Sequence, residues 1–147
     1  MKICFICHAN ICRSFISQEL LKKLLADNGR LDVEVISRGT YALPYIEVPQ
    51  KIKNFLSKNG IIFNGHTPTQ YGKEDLNTSD LIFVMTKKQL YDITDKYSQF
   101  SDKIFLLSEY VLNEDTEIKD PINLEGSSFE RAALKIKDLI SILYKKI

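Results

Sequence analysis

Short apolar runs alternate with amphipathic stretches along the chain. Lys2–Cys7 (KICFIC) is apolar and bounded by polar residues, as a buried strand would be. From Ser14 onward Ile16, Leu20, Leu21, Leu24 and Leu25 recur at helical spacing, and Asn28-Gly29 supplies a pair suited to the left-handed position after a helix. A strand thus feeds a helix through a tight loop. Asp32–Ser37 (DVEVIS) alternates as a second strand, and Gln50–Lys58 (QKIKNFLSK) reads as a short helix ended by Asn59-Gly60. Leu81–Met85 (LIFVM) is a fully apolar third strand, followed by a helix with Leu90, Ile93 and Tyr97 on one face. Lys103–Leu107 (KIFLL) is the fourth strand. The last helix carries the clearest start signal: Ser127 with Glu130 three residues on forms a capping box, and Phe129, Ala133, Ile136, Ile140 and Leu143 mark one face.

Strands separated by helical segments of this length predict an α/β protein, a parallel sheet with helices on both sides. Periodicity fails in two stretches, Thr40–Pro49 and Asn113–Gly126, where prolines and turn formers replace it; long loops in such folds often carry function. Ligands of doubly wound sheets bind beyond the carboxyl ends of the strands. That directs attention to the loop after the first strand, Cys7 to Ser14.

Composition narrows the picture. The 147 residues suit one domain spanning 1–147, and 44% hydrophobic with 27% charged residues is ordinary globular usage. Twenty Lys+Arg against nineteen Asp+Glu leave a net charge of +1, which argues against a nucleic-acid partner. The apolar start is too short for a signal segment and no run suffices for membrane insertion, so a cytoplasmic location is expected. All three cysteines, Cys4, Cys7 and Cys12, fall in the first twelve residues and cannot staple a fold of this length. They act locally.

Cys7-His8-Ala9-Asn10-Ile11-Cys12-Arg13-Ser14 offers a specific chemistry. In a turn from strand to helix, successive backbone N–H groups can converge on one point, and the helix N-terminus adds unpaired donors and about half a positive charge. Arg13 supplies a planar fork that can bind two phosphate oxygens at once. Cys7 sits in the same positive field, which favours a thiolate, and Ser14 can donate its hydroxyl to the sulfur. Competing readings exist. Cys4-x-x-Cys7-His8 matches a haem-attachment pattern, its first half matches a redox pair, and Cys4, Cys7, His8 and Cys12 are zinc-ligand types. Against the first two, Cys4 and Cys7 would point to opposite faces of one strand, and a structural zinc site would want a second knuckle. Cys4 then reads as a small buried hydrophobe.

Position and context distinguish this Cys-x5-Arg from chance occurrences. The loop CHANICRSF resembles that of the low-molecular-weight protein tyrosine phosphatases, C-x-G-N-x-C-R-S-P after an N-terminal strand. Ser37-Arg38-Gly39-Thr40 is similar to the family's S-A-G-T, Gly60-Ile61 with His66 to its G-I-x-x-x-x-H, Ser79-Asp80 to Met85 to its third strand, and Asp120-Pro121 to its acid loop. The resemblance implies a flavodoxin-like three-layer sandwich whose four-stranded parallel sheet has the order 2-1-3-4. It implies hydrolysis of a phosphate monoester, a phosphotyrosine protein or small aryl phosphate, with inorganic phosphate as product and no metal or cofactor. Cys7 would attack phosphorus to give a phosphocysteine. Arg13 and the amides of His8, Ala9, Asn10, Ile11 and Cys12 would hold the phosphate. Asp120 would act as general acid and then base, and Ser14 would assist the departing sulfur.

The resemblance also makes Asn10 the brace of the loop with Ser37 and His66 as partners, and Cys12 a possible redox partner for Cys7, the alternative being a packed thiol. Ala9 replaces the family's usual Gly, Phe15 its Pro, and Ile122 an aromatic residue that lines the cleft beside Asp-Pro. His8 is expected at the cleft mouth, and Tyr41 and Tyr45 as a wall for an aromatic ring. Two alternatives in function remain: a catalytically weak phosphate-binding or redox-sensing module, and an arsenate reductase. The thioredoxin-coupled form of the latter needs downstream cysteines, and none follows Cys12.

Overall fold

A computed structural model describes residues 1–147. Four strands, β1 (Lys2–Cys7), β2 (Glu34–Gly39), β3 (Leu81–Val84) and β4 (Ile104–Leu106), form one parallel sheet in the order β2-β1-β3-β4. This is the expected 2-1-3-4 sheet. The helices are α1 (Arg13–Asp27), α2 (Gln50–Lys58), α3 (Lys73–Thr78), α4 (Lys87–Lys96), α5 (Leu107–Leu112) and α6 (Gly126–Tyr144), with 3-10 turns at Ser98–Lys103 and Pro121–Asn123.

β1 lies in the middle, which explains why it is apolar on both faces. Ile3, Phe5 and Cys7 face one layer, where Phe15, Ile16 and Leu21 of α1, Phe55 of α2 and Ile136 and Ile140 of α6 complete the larger core. Cys4 and Ile6 face the other, against Leu76 of α3 and Ile93 of α4. Each such side chain contributes about 1.5–3 kcal/mol when fully buried. Cys4 and Cys7 therefore lie on opposite sides of the sheet, and the same separation takes Cys4 away from any zinc-like cluster with Cys7 and Cys12. Burial pushes the Cys4 thiol up to about 12, with Asp75 adding to the effect. It is a neutral core residue.

Several elements differ from their sequence signals. β2 starts at Glu34 and runs on to Gly39, because the ladder with β1 extends to the pair Cys7 and Gly39. Asp32, the expected strand start, instead has its carbonyl accepting from the N-terminal ammonium and its carboxylate paired with Arg30. Leu107 opens α5 and does not end β4. The short α3 gave no periodic signal, since Leu76 is its single buried residue; Gly72 N–H donates to the Asp75 carboxylate at 3.0 Å to start it. The capping box proposed at Ser127 is absent: the helix begins two residues earlier, with Glu125 as N-cap, so Ser127 lies inside the first turn.

The carboxyl ends of β1 and β2 are held unusually close. Thr40 N–H donates to the Cys7 carbonyl at 2.9 Å and Tyr41 N–H to the His8 carbonyl at 2.8 Å. A Cβ on Gly39 would stand 2.6 Å from that His8 oxygen and 3.2 Å from the Asn10 Cβ. Only glycine leaves room for the loop to pass. Gly39→Ala is expected to destabilise the protein by about 1–3 kcal/mol through overpacking, read as a lower midpoint in urea unfolding.

Candidate active site

The loop His8–Cys12 leaves the end of β1 and enters α1 at Arg13. None of the backbone N–H groups of His8 through Cys12 is bonded to another group of the protein. A helix start leaves its own first amides without partners as well. The turn therefore presents a run of donors above the carboxyl edge of the central strand.

Asn10 holds the loop in this shape. It adopts φ +59°, a left-handed conformation that asparagine tolerates better than most residues, and it is fully buried. Its Oδ1 accepts from Thr69 N–H at 3.0 Å, which orients the amide so that Nδ2 donates to Ser14 Oγ at 2.9 Å and Ser37 Oγ at 3.0 Å. Its carbonyl accepts from His66 Nε2 at 2.7 Å, so the imidazole carries its proton on Nε2. Ala9 is not among the residues with positive φ, so the methyl group at the family's usual glycine position costs no backbone strain. Phe15, in place of the family's proline, stacks on His66 with ring centroids 4.1 Å apart and meets Phe63 edge-on. It supports the loop through the histidine.

Cys7 is 2% exposed, and its Sγ lies 2.9 Å from Ser14 Oγ. Because that oxygen already accepts from Asn10, its own hydrogen is free to point at the sulfur. Arg13, 4% exposed, donates Nη1–H to the Ile118 carbonyl at 2.9 Å, and Nη2 stands 3.6 Å from the Asp120 carboxylate. Its buried Nε–H has no partner. An unpaired buried donor costs about 1–3 kcal/mol, and an oxyanion held over the loop would relieve that cost. Asp120 also accepts from Ile122 N–H at 3.1 Å, closing the turn over Pro121. It is partly exposed.

Cys12, at the N-cap of α1, is buried and unpaired by any disulfide. Burial first, then Asp120 and Cys7, raise its pKa, so it is neutral. At the mouth, the exposed His8 ring stacks with Tyr41 at 5.7 Å and 12°. Ile11 is buried beside it in sequence, and Ile122 packs against the larger core. Tyr45 is not drawn into this group: it is 75% exposed and makes no ring contact. No group of three or more His, Cys, Asp or Glu side chains is arranged to hold a metal ion, and no helix is long and apolar enough to cross a membrane. Sequence reasoning missed Thr69 and Ile118. Both act through backbone atoms, for which no residue type is a signal.

A cysteine at the floor of a loop of unpaired amides, closed by a buried arginine, defines the class of phosphatases that carry a cysteine in a phosphate loop. The chain belongs to the low molecular weight phosphotyrosine protein phosphatase family, whose model matches residues 2–147. It is a phosphatase with an active-site cysteine. It is 27% identical to the protein-arginine-phosphatase of Bacillus subtilis over 147 residues, covering 100% of this chain and 97% of the relative. Identity to the low molecular weight protein-tyrosine-phosphatase PtpB of Staphylococcus haemolyticus is 31% over 146 residues, covering 99% and 96%. Among solved structures, the low molecular weight protein tyrosine phosphatase of T. tengcongensis superposes with a TM-score of 0.93 at 26% identity, covering 100% of this chain and 99% of that one. The YwlE arginine phosphatase, in a serine-for-cysteine mutant with a phosphorylated active-site serine, does so at 0.92 and 27%, covering 99% and 95%.

The half-buried His66 allows one expectation for stability. Burial lowers its pKa, outweighing the bond to Asn10, with Glu19 opposing and Lys22 and Arg38 adding smaller effects. Above the ordinary histidine value of about 6.5, folded and unfolded chains are both neutral and the stability is complete. As pH falls below it, the unfolded chain takes up a proton first and stability declines. Urea midpoints measured from pH 7.5 to 5 should therefore drop in wild type, and less steeply in His66→Gln, which keeps a neutral donor for the Asn10 carbonyl.

Proposed function

We propose that residues 1–147 act as one catalytic domain that hydrolyses phosphotyrosine in proteins, with Cys7 as nucleophile, Arg13 and the loop amides as the phosphate site, and Asp120 as general acid and base. The observation that carries this is that the amides of His8 to Cys12 and the buried Arg13 Nε are all without partners in the protein, on the loop that joins Cys7, its Sγ 2.9 Å from Ser14 Oγ, to Arg13. Cys7 thiolate attacks phosphorus in line. The bond from phosphorus to the ester oxygen breaks, and that oxygen takes a proton from Asp120 while Arg13 and the amides hold the charge on the equatorial oxygens. Water then attacks the phosphocysteine and gives its proton back to Asp120. The S–P bond breaks to release inorganic phosphate, and the Ser14 hydroxyl steadies the returning thiolate.

Arg13 and Asp120 already sit together, so an arriving phosphate meets the arginine and its acid partner at once. The exposed His8 ring stacked on Tyr41 favours an aryl ring. A second reading, phosphoarginine, is favoured by the likeness to protein-arginine-phosphatases over the whole chain. In that case Asp120 would face a guanidinium. The three unpaired thiols suit the reducing cytoplasm.

Cys7→Ser is expected to abolish turnover of aryl phosphates. Asp120→Ala should lower kcat/KM, which reports the first chemical step, by about 10²- to 10⁴-fold for a poor leaving group and much less for p-nitrophenyl phosphate, in steady-state assays without added metal. Turnover by Cys7→Ser at the wild-type rate would overturn the nucleophile assignment. Matched phosphotyrosine and phosphoarginine peptides decide the substrate, and a higher kcat/KM for the tyrosine peptide is the expected outcome.

A further inference from the structure

The geometry points to Lys51 as a positioning residue for the acid loop, its ammonium fixing the backbone that follows Asp120. The inference rests on the reading of Asp120 as the proton donor. Lys51 stands in the first turn of α2, and its Nζ donates to the carbonyl of Ile122, to the carbonyl of Leu124 at 2.8 Å and to the Glu125 carboxylate at 3.0 Å. An ammonium has three protons, and all three are engaged. The side chain is 19% exposed whereas Glu125 is 80% exposed. A pair with so exposed a carboxylate contributes little by itself, so the two main-chain carbonyls are the informative partners. The ammonium also lies 5.4 Å from the Phe129 ring centroid, which helps fix its place.

The ties along the loop divide at Asp120. Before it, the segment is held by Ile118 N–H on the Met85 carbonyl at 3.0 Å, by Glu117 on Lys87 N–H at 2.7 Å, by the Ser108 hydroxyl on the Thr116 carbonyl, and by Arg13 on the Ile118 carbonyl. After it, every hydrogen bond that reaches residues 121–125 from outside the loop and α6 comes from Lys51. Ile122 is the joint. Its N–H donates to Asp120 Oδ1 and its carbonyl accepts from Lys51. The lysine thus fixes the peptide that orients the carboxyl, while Arg13 fixes the chain on the other side. None of these three bonds reaches Cys7 or an amide of the loop His8 to Cys12, and the ammonium acts on Cys12 only through its charge, which Lys51→Arg keeps. Loss of Lys51 should therefore impair proton transfer and spare phosphate binding.

The test measures kcat and KM for wild type, Lys51→Met and Lys51→Arg, each with and without Asp120→Ala, using p-nitrophenyl phosphate and an aryl phosphate with a poor leaving group. Displacement of a reacting group by about 1 Å costs up to roughly a hundredfold, so Lys51→Met should lower kcat/KM, which reports the step that releases the leaving group, by about 10- to 100-fold for the poor leaving group. The kcat/KM for p-nitrophenyl phosphate should stay within about twofold, which also shows that the variant is folded. Lys51→Arg should recover most of the loss, and Lys51→Met should cost nothing further when Asp120 is already alanine. Equal losses of kcat/KM for both substrates, or a full additional loss in the Asp120→Ala background, would overturn the inference. If Asp120→Ala shows no dependence on leaving group, the acid assignment itself fails; if it does and Lys51→Met does not, only the role of Lys51 fails.

Discussion

The buried amide of Asn10 is the constraint on which the rest of the site depends. One side chain bonds Ser14 at the head of α1, Ser37 on β2 and Thr69 in the segment beside β2, and its carbonyl is held by His66. Its position at φ +59° turns the chain so that the loop amides are left without partners inside the protein. Each unpaired buried donor is unfavourable, and a fully satisfied polar network is what makes such an arrangement rigid enough to persist. The phosphate loop is thus held open by bonds made behind it. Ser14 links the two functions, accepting from Asn10 while lying 2.9 Å from the sulfur of Cys7.

Around this fixed centre the molecule places a second, less regular part. The segment from Asn113 to Glu125 has one short 3-10 turn and no strand, yet it carries Asp120. Arg13 on one side and Lys51 on the other hold its backbone through carbonyl groups. A cation that grips main-chain oxygens sets the position of a loop without demanding any particular side chain from it. The result is a loop of unpaired donors with a separately anchored carboxylate, which in the proposed mechanism holds phosphate throughout while a proton moves in and out.

On the proposed reading, substrate choice falls to the rim, where His8 and Tyr41 stack and Ile122 stands after Asp-Pro. These side chains are exposed or half-buried, and the rim is where relatives named for tyrosine and for arginine phosphatase activity, alike in fold, can diverge.

The chain's periodicity determined the order of strands and helices, because a central parallel strand must be apolar on both faces and a covering helix on one. KICFIC and LIFVM are legible for that reason. The loop CHANICRSF was legible because the chemistry of anion binding needs a strand-to-helix turn, an arginine and a nucleophile in a fixed local spacing. Elements with little to bury were not legible: α3 buries one leucine, and the ends of β2 and β4 are set by pairing with neighbours. The start of α6 was misread from Ser127, since side-chain type alone does not decide where a helix begins when the preceding loop is anchored elsewhere. Only the tertiary structure brought Thr69, Ile118 and Lys51 to the site. The first two act through backbone atoms and the third grips backbone oxygens, groups that every residue possesses and whose partners are decided by three-dimensional packing alone.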